Sequence, residues 1–270
     1  MTRTLLAAGA ALVLHLALVT RAEAAPDTGY PDTFSLRVGG FLVQDSNIEF
    51  HLDSTTRAVG TTVDAGRILG MPNSDDVVRV DGYFRFAERH RVDFGWYGLQ
   101  FEGTRTIDED IDVGDRVFTI GQTLNSRLRV NTYLVGYSYS FYRTKKAEMG
   151  LGVGLQVQDI NLRLALVDGT ETESRKVTAP LPVFGFRLDY AITPRLTTHG
   201  SLQLFVIDYG AYEGRLVDFG LDLEYRLFRN LALGVGYNAY LLDLSAEGKR
   251  FRGEINYHFQ GALLYGRLYL

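Results

Sequence analysis

The chain contains no cysteine, which excludes a disulfide framework, thiolate zinc sites and a cysteine nucleophile. Tryptophan occurs once and proline six times in 270 residues. Basic residues form no run, and 28 of them against 32 acidic side chains leave a formal charge of −4, so nothing marks a nucleic-acid partner. Beyond the N-terminal segment no apolar run reaches the roughly 20 residues that a membrane-spanning helix needs. What the chain does have is rings and glycine: 16 Tyr, 16 Phe and 29 Gly without a collagen-like period, a composition that leans to β structure. A mean hydropathy of −0.04, with 46% apolar and 22% charged residues, averages to an ordinary soluble domain. The order of the residues shows what that average conceals.

From Met1 the chain reads Arg3, an uncharged apolar stretch from Leu5 to Val19, and then Ala22-Glu23-Ala24 before Ala25-Pro26. This is the pattern of a cleavable secretory signal peptide over residues 1–24, its apolar part too short for the roughly 20 residues of a membrane anchor. No lipobox cysteine follows. Residues 25–32 are expected to form a short periplasmic lead, and 33–270 a single domain.

That domain alternates with period two. Val217, Phe219, Leu221, Leu223, Tyr225 and Leu227 point one way, and Asp218, Gly220, Asp222, Glu224 and Arg226 the other. The same pattern recurs in Val78 to Phe86 against Arg79, Asp81, Tyr83 and Arg85, and in Met149 to Val157 against Gly150, Gly152, Gly154 and Gln156. It recurs again in Leu231 to Ala239, and in Phe251, Gly253, Ile255, Tyr257 and Phe259 against Arg252, Glu254, Asn256 and His258.

A secreted sandwich also alternates, but its connections are similar at both ends. Here one set is tight, at Glu88-Arg89-His90, Thr144-Lys145-Lys146, Thr193-Pro194-Arg195 and Phe228-Arg229-Asn230. The other is long and polar, at 53–75, 103–123, 168–176, 209–215 and 245–250. Short periplasmic turns opposite longer outer loops mark a membrane barrel, as does the gathering of Phe86, Phe141, Tyr142, Tyr190, Tyr225 and Phe228 beside the tight turns. In lipid every backbone polar group must be paired, which a closed barrel achieves and an open sheet does not.

The expected fold is therefore all-β, a closed antiparallel up-and-down transmembrane β-barrel of about ten strands, with eight and twelve as the neighbouring even counts. Strands are placed near 33–52, 76–87, 91–102, 124–143, 147–162, 178–192, 196–208, 216–227, 231–244 and 250–270. Residues 60–69 and 117–122 are expected either to extend strands beyond the membrane or to add a pair that makes twelve. The phase of the alternation changes near Gln260-Gly261, where a bulge or bend is expected, and slips near Gln158-Asp159 and between Trp96 and Leu99.

The pattern resembles the small bacterial outer-membrane β-barrel proteins, the group that includes OmpA-like and OmpW-like barrels. Its most specific parts are Val217 to Leu227 and the closing Leu264-Tyr265-Gly266-Arg267-Leu268-Tyr269-Leu270. The resemblance implies a place in the cell outer membrane, contact with outer-membrane lipid and lipopolysaccharide, and biogenesis through the barrel-assembly machinery, which reads a terminal aromatic. Here that aromatic, Tyr269, stands one place before the end. The resemblance implies no cofactor, activity or oligomeric state.

Alternation assigns a charged cluster to the lumen: Arg79, Asp81, Arg85, Arg187, Asp189, Asp218, Asp222, Glu224, Arg226, Arg252 and Glu254, accompanied by Arg37, Asp93 and His258. Mixed signs on neighbouring strands are expected to interlock as salt bridges in a narrow barrel. Three functions follow: a structural, surface-interaction or scaffold barrel; a narrow, porin-like channel for small solutes, with Gly150, Gly152, Gly154, Gly234 and Gly236 leaving room; or a lipid-modifying surface enzyme. For the last, His199-Gly200-Ser201 is similar to the His-x-Ser of outer-membrane lipid A deacylases, with Glu213 as the conceivable carboxylate. Leu202 and Leu204 face lipid, however, which puts His199 and Ser201 in the lumen near the periplasmic end and away from Glu213, so no catalytic residue is assigned. The Asp-Asp and Asp-His pairs of omptin-type proteases are not found, and His51, His90 and His258 stand singly. The acidic run Asp108 to Asp115 imitates an EF-hand loop, but its glycine comes one place late and Thr119 replaces the closing Glu. It reads as a solvated outer loop, and no metal site is assigned.

Overall fold

The computed structural model describes residues 33–52, 62–71, 76–108, 110–113, 116–168, 172–210, 212–247 and 252–270. The expected signal peptide (1–24) and lead (25–32) lie outside these residues. The strands are β1 (Phe34–Leu52), β2 (Thr62–Asp64), β3 (Asp76–Ala87), β4 (His90–Thr106), β5 (Ile111–Val113), β6 (Arg116–Phe118), β7 (Thr123–Arg143), β8 (Ala147–Leu166), β9 (Thr172–Ala191), β10 (Leu196–Tyr209), β11 (Tyr212–Arg226), β12 (Leu231–Glu247) and β13 (Arg252–Tyr269).

Ten of these form one closed antiparallel barrel in the order β13-β12-β11-β10-β9-β8-β7-β4-β3-β1. It closes where β1 meets β13, from Ser35 opposite Tyr269 to Leu52 opposite Gly253. At the end of the tight turns the backbone N–H of Phe34 donates to Leu270 O at 3.0 Å and that of Leu270 to Phe34 O at 2.9 Å, so the first and last strands of the barrel begin and end there. Of the two readings left open for 60–69 and 117–122, the extra pair that would make twelve does not enter the barrel. β2 adds to the far end of β1, while 116–118 pairs with 111–113 in a separate small hairpin.

Several strands run further than their apolar pattern: β8 reaches Leu166, β9 starts at Thr172 and β4 ends at Thr106. The reason is an inversion of surroundings along each strand. On β8 the outward side chains are Met149, Leu151, Val153, Leu155 and Val157, followed by Asp159, Asn161 and Arg163. The inward ones are Glu148, Gly150, Gly152, Gly154, Gln156 and Gln158, followed by the buried Ile160, Leu162, Leu164 and Leu166. β7 does the same, with exposed Tyr133, Val135, Tyr137 and Tyr139 below and exposed Arg127 and Arg129 above.

The pairing of β7 with β8 runs without interruption from Leu124 to Ser140, and that of β4 with β7 along its whole length. The sequence slips at Gln158-Asp159 and Trp96 to Leu99 are therefore no change of register. They mark the level at which lipid gives way to water outside and charge gives way to hydrocarbon inside. At Gln260-Gly261 a true irregularity exists, but the extra residue is Gln44 on the partner strand β1: Val43 pairs with Gly261 and Asp45 with Gln260. Gly261 lacks the Cβ that would strike Leu42 O at that point.

One seam interrupts the wall. β9 and β10 pair only from Ala191/Thr197 to Phe184/Leu204, although both strands continue. The N–H of Ala191 donates to Lys146 O, so odd residues of β9 direct their N–H groups to β8 and even ones to β10. Pro180 and Pro182 are even, and a proline has no N–H to give, so the ladder to β10 lacks its next two donors directly above Phe184.

Candidate functional site

The lumen is built in layers. Nearest the tight turns, Arg37 on β1 donates from Nε to Asp81 at 2.8 Å and reaches across the barrel from Nη1 to Asp222 on β11 at 2.5 Å. Arg79 pairs with Asp81 at 3.1 Å, and Asn238 donates to Asp218 at 2.7 Å. A second knot centres on Glu148, which accepts from Arg85 at 2.8 Å, Arg187 at 2.6 Å and Ser140 at 2.5 Å. A third joins Asp189 to His199 Nδ1 at 2.7 Å, with Arg267 Nη1 at 3.3 Å from His199 Nε2. Glu224 takes the Tyr269 hydroxyl at 2.5 Å and lies 3.2 Å from Arg267. Arg226 lies over the Tyr269 ring at 4.3 Å, and Arg91 pairs with Asp93 at 2.7 Å. Among the described residues eight arginines, counting Arg143 with its Nε 3.8 Å from Glu148, share this layer with seven carboxylates and His199, so the charges of the layer nearly balance. A cavity of about 210 Å³ remains between them.

Above the charges comes an amide belt. Thr132 donates to Gln158 at 2.7 Å, Gln158 to the Tyr240 hydroxyl at 2.6 Å, and Gln156 to Gln203 at 2.8 Å. Next is an aromatic plug in which Tyr240 stacks on Phe259 at 5.0 Å, Tyr257 lies 5.2 Å from Phe259, and Phe41 meets it edge-on at 5.5 Å. Aliphatic side chains including Leu99, Leu128, Leu162 and Leu242 fill the outer half, and Ile68, Leu69, Ile107, Ile111 and Phe118, none more than 2% exposed, close it as a lid.

The expected cluster divides. Arg79, Asp81, Arg85, Arg187, Asp189, Asp218, Asp222, Glu224 and Arg226 face the lumen in one layer, together with Arg37 and Asp93. Glu254 does not: it is exposed on the outer wall of β13, with Asn256 donating to it at 2.9 Å, and His258 is exposed on the same wall. Here Ile255, Tyr257 and Phe259 take the interior. Beyond the membrane the outer wall meets water, so the polar face turns out and the apolar face in, the reverse of the rule that assigned these residues. The Arg252 side chain lies outside the described residues.

Sequence reading omitted Arg91, Glu148 and Arg267 from the cluster, although each has lumen parity on its strand. The glycine face does less to open the lumen than expected. A Cβ on Gly150 would meet Arg187 Nε at 2.7 Å, and one on Gly152 would meet Tyr137 O at 2.8 Å, so these glycines seat a guanidinium and a neighbouring strand.

His199 and Ser201 do share the lumen, but Glu213 is exposed near the opposite end of β11, and both His199 nitrogens face Asp189 and Arg267. The acidic run falls at the β5–β6 hairpin, where Asp110 accepts from the N–H of Ile120 at 2.7 Å. Among the described residues no group of three His, Asp or Glu side chains is placed to hold a metal ion.

A closed antiparallel barrel with an apolar outward band, a ring of exposed aromatics above tight turns and a charged lumen is the fold of the small outer-membrane β-barrels. No protein-family profile and no curated protein matches the chain. Among solved structures it is similar to the outer-membrane protease OmpT of Escherichia coli, with a TM-score of 0.62 at 9% identity over 90% of this chain and 98% of that one. It is also similar to Ail, the attachment invasion locus protein of Yersinia pestis, with a TM-score of 0.36 at 9% identity over 87% and 99%. A third similar structure is the outer membrane protein OprG of Pseudomonas aeruginosa, with a TM-score of 0.37 at 11% identity over 90% and 98%. At such identities the likeness is one of fold.

Proposed function

We propose that the protein is a closed barrel of the bacterial outer membrane with a structural or surface-interaction role, neither an open pore nor an enzyme. The observation that carries this reading is the outer half of the lumen, which among the described residues is occupied by the buried side chains of the aromatic plug, the aliphatic layer and the lid. Beneath it the charged layer is nearly balanced and locked by hydrogen bonds, the arrangement of a structural core more than of a selective conduit. On the outside, lipid covers the apolar band, and Arg127, Arg129, Arg163 and Lys176 stand above it at the height of lipopolysaccharide headgroups.

Planar-bilayer recording of the refolded barrel, identified by its shift between unheated and boiled gel lanes, tests this. The expected record has no steady current, and a steady ohmic conductance would overturn the closed reading. A second reading, a narrow conduit for small solutes, rests on the cavity of about 210 Å³ lying beside the lower end of the β9–β10 seam. The same record favours it if current flows.

A further inference from the structure

The four tight turns consist of Glu88–Arg89, Thr144–Lys146, Ile192–Arg195 and Leu227–Asn230. Each carries at least one cation, namely Arg89, Lys145 with Lys146, Arg195 and Arg229, and Glu88 is the one acidic residue among them. All five cations are exposed, and none forms an ion pair among the described residues. This contrasts with the lumen just above, where every arginine is matched. Each cation also follows an outward aromatic by a few residues: Phe86 before Arg89, Tyr142 before Lys145, Tyr190 before Arg195 and Phe228 before Arg229. Aromatic rings of this kind settle at the level of lipid carbonyls and headgroups, so the cations stand at the headgroup phosphates.

We propose that this basic ring is a binding site for anionic phospholipid headgroups of the inner leaflet, with phosphatidylglycerol-type lipid as the ligand class. The proposal rests on the reading of the chain as an outer-membrane barrel. Distribution argues for lipid over a periplasmic macromolecule. The cations appear on the β3–β4, β7–β8, β9–β10 and β11–β12 turns, around the circumference, whereas a docked protein or glycan would require them on one side. A leaflet surrounds the barrel equally. Unpaired exposed cations near an anionic surface gain Coulomb attraction that paired ones would forfeit.

Spin-label electron paramagnetic resonance on the barrel reconstituted in phosphatidylcholine measures the association of labelled phosphatidylglycerol relative to labelled phosphatidylcholine. The expected selectivity at low salt is about fivefold for headgroups in contact with a basic side chain, declining as salt screens it. It should fall to near unity in the variant R89Q/K145Q/K146Q/R195Q/R229Q and persist in R89K/R195K/R229K. No selectivity in the unaltered barrel, or undiminished selectivity in the glutamine variant, would overturn the proposal. So would binding of isolated peptidoglycan that the glutamine variant abolishes while no lipid selectivity is seen, because the ring would then serve a periplasmic polymer. Failure of the barrel reading looks different: no motionally restricted lipid of either kind and no heat-shifted band.

Discussion

Glu148 is enclosed by Arg85, Arg187 and Ser140 and is fully buried. A carboxylate withdrawn from water is tolerable there because two guanidinium groups and a hydroxyl converge on Oε1, while Oε2, without a hydrogen bond of its own, lies 3.8 Å from the Arg143 guanidinium. Removing it strands two cations. Glu148→Ala is therefore expected to cost about 3–5 kcal/mol in urea-induced unfolding of the vesicle-inserted barrel. Glu148→Gln keeps volume and hydrogen-bonding capacity but not charge and should cost measurably less; equal losses for the two would mean that the lost charge, which both share, sets the whole effect. Gly236 shows how close the packing is: an added Cβ would overlap the Asp222 carboxylate and displace it from Arg37. Gly236→Ala should thus lose roughly 1–3 kcal/mol in the same titration, by overpacking a polar site.

At the scale of the strand, the decisive fact is that one face serves two solvents. Leu155 and Asn161 are both outward on β8, the first exposed in the apolar band and the second above it. Leu155→Arg should destabilise insertion by about 2–4 kcal/mol, whereas Asn161→Arg should change it by about 1 kcal/mol or less. Comparing gel-shift folding yields in vesicles checks the pair, and similar losses would place the water boundary elsewhere on the strand. The ten strands were legible because period two survives whatever the surroundings, and the tight turns because their polar residues interrupt it. Asp218, Asp222 and Glu224 lie inside because their strand neighbours Val217 to Leu227 stay within the apolar band. Glu254 and His258 were misassigned because polarity alone identifies the lumen only where lipid lies outside. The signal was present in the phase slip at Gln260-Gly261, but a slip in hydropathy and a slip in register look alike in one dimension.

The seam belongs to this scale too. Pro180→Val with Pro182→Val returns two donors to the β9 edge, and the pairing with β10 should extend past Phe184/Leu204. Slower amide exchange at Val206 and Asp208, which the register sets opposite residues 182 and 180 with their N–H groups towards β9, would show it, while unchanged exchange would assign the gap to the loops instead of the prolines.

The whole molecule is taller than the membrane that surrounds it. β7 has 21 residues, which at about 3.3 Å each and a tilt near 40° rise roughly 50 Å, twice the roughly 25 Å apolar band of an outer-membrane barrel. The outer half therefore stands in water, and it obeys the rule for soluble proteins: apolar inside, polar outside. Three obstructions lie in series along the axis, the lid of Ile111 and Phe118, the aliphatic layer that includes Leu99, Leu128 and Leu242, and the deeper plug of Tyr240, Tyr257 and Phe259. Since the deeper one spans the lumen on its own, Ile111→Ala with Phe118→Ala should leave the barrel non-conducting, while costing about 3–5 kcal/mol for the lost phenylalanine alone and exposing the outer half to added protease. Adding Tyr240→Ala and Phe259→Ala to the lid variant takes away the stacked rings of the plug as well and leaves the aliphatic layer as the last barrier. In planar bilayers that combined variant, if its gel shift shows a folded barrel, should carry a steady current absent from the lid variant. A current already present with the plug intact would mean that solutes bypass the aromatic layer through the β9–β10 seam, and a folded combined variant without current would mean that the aliphatic layer closes the lumen by itself.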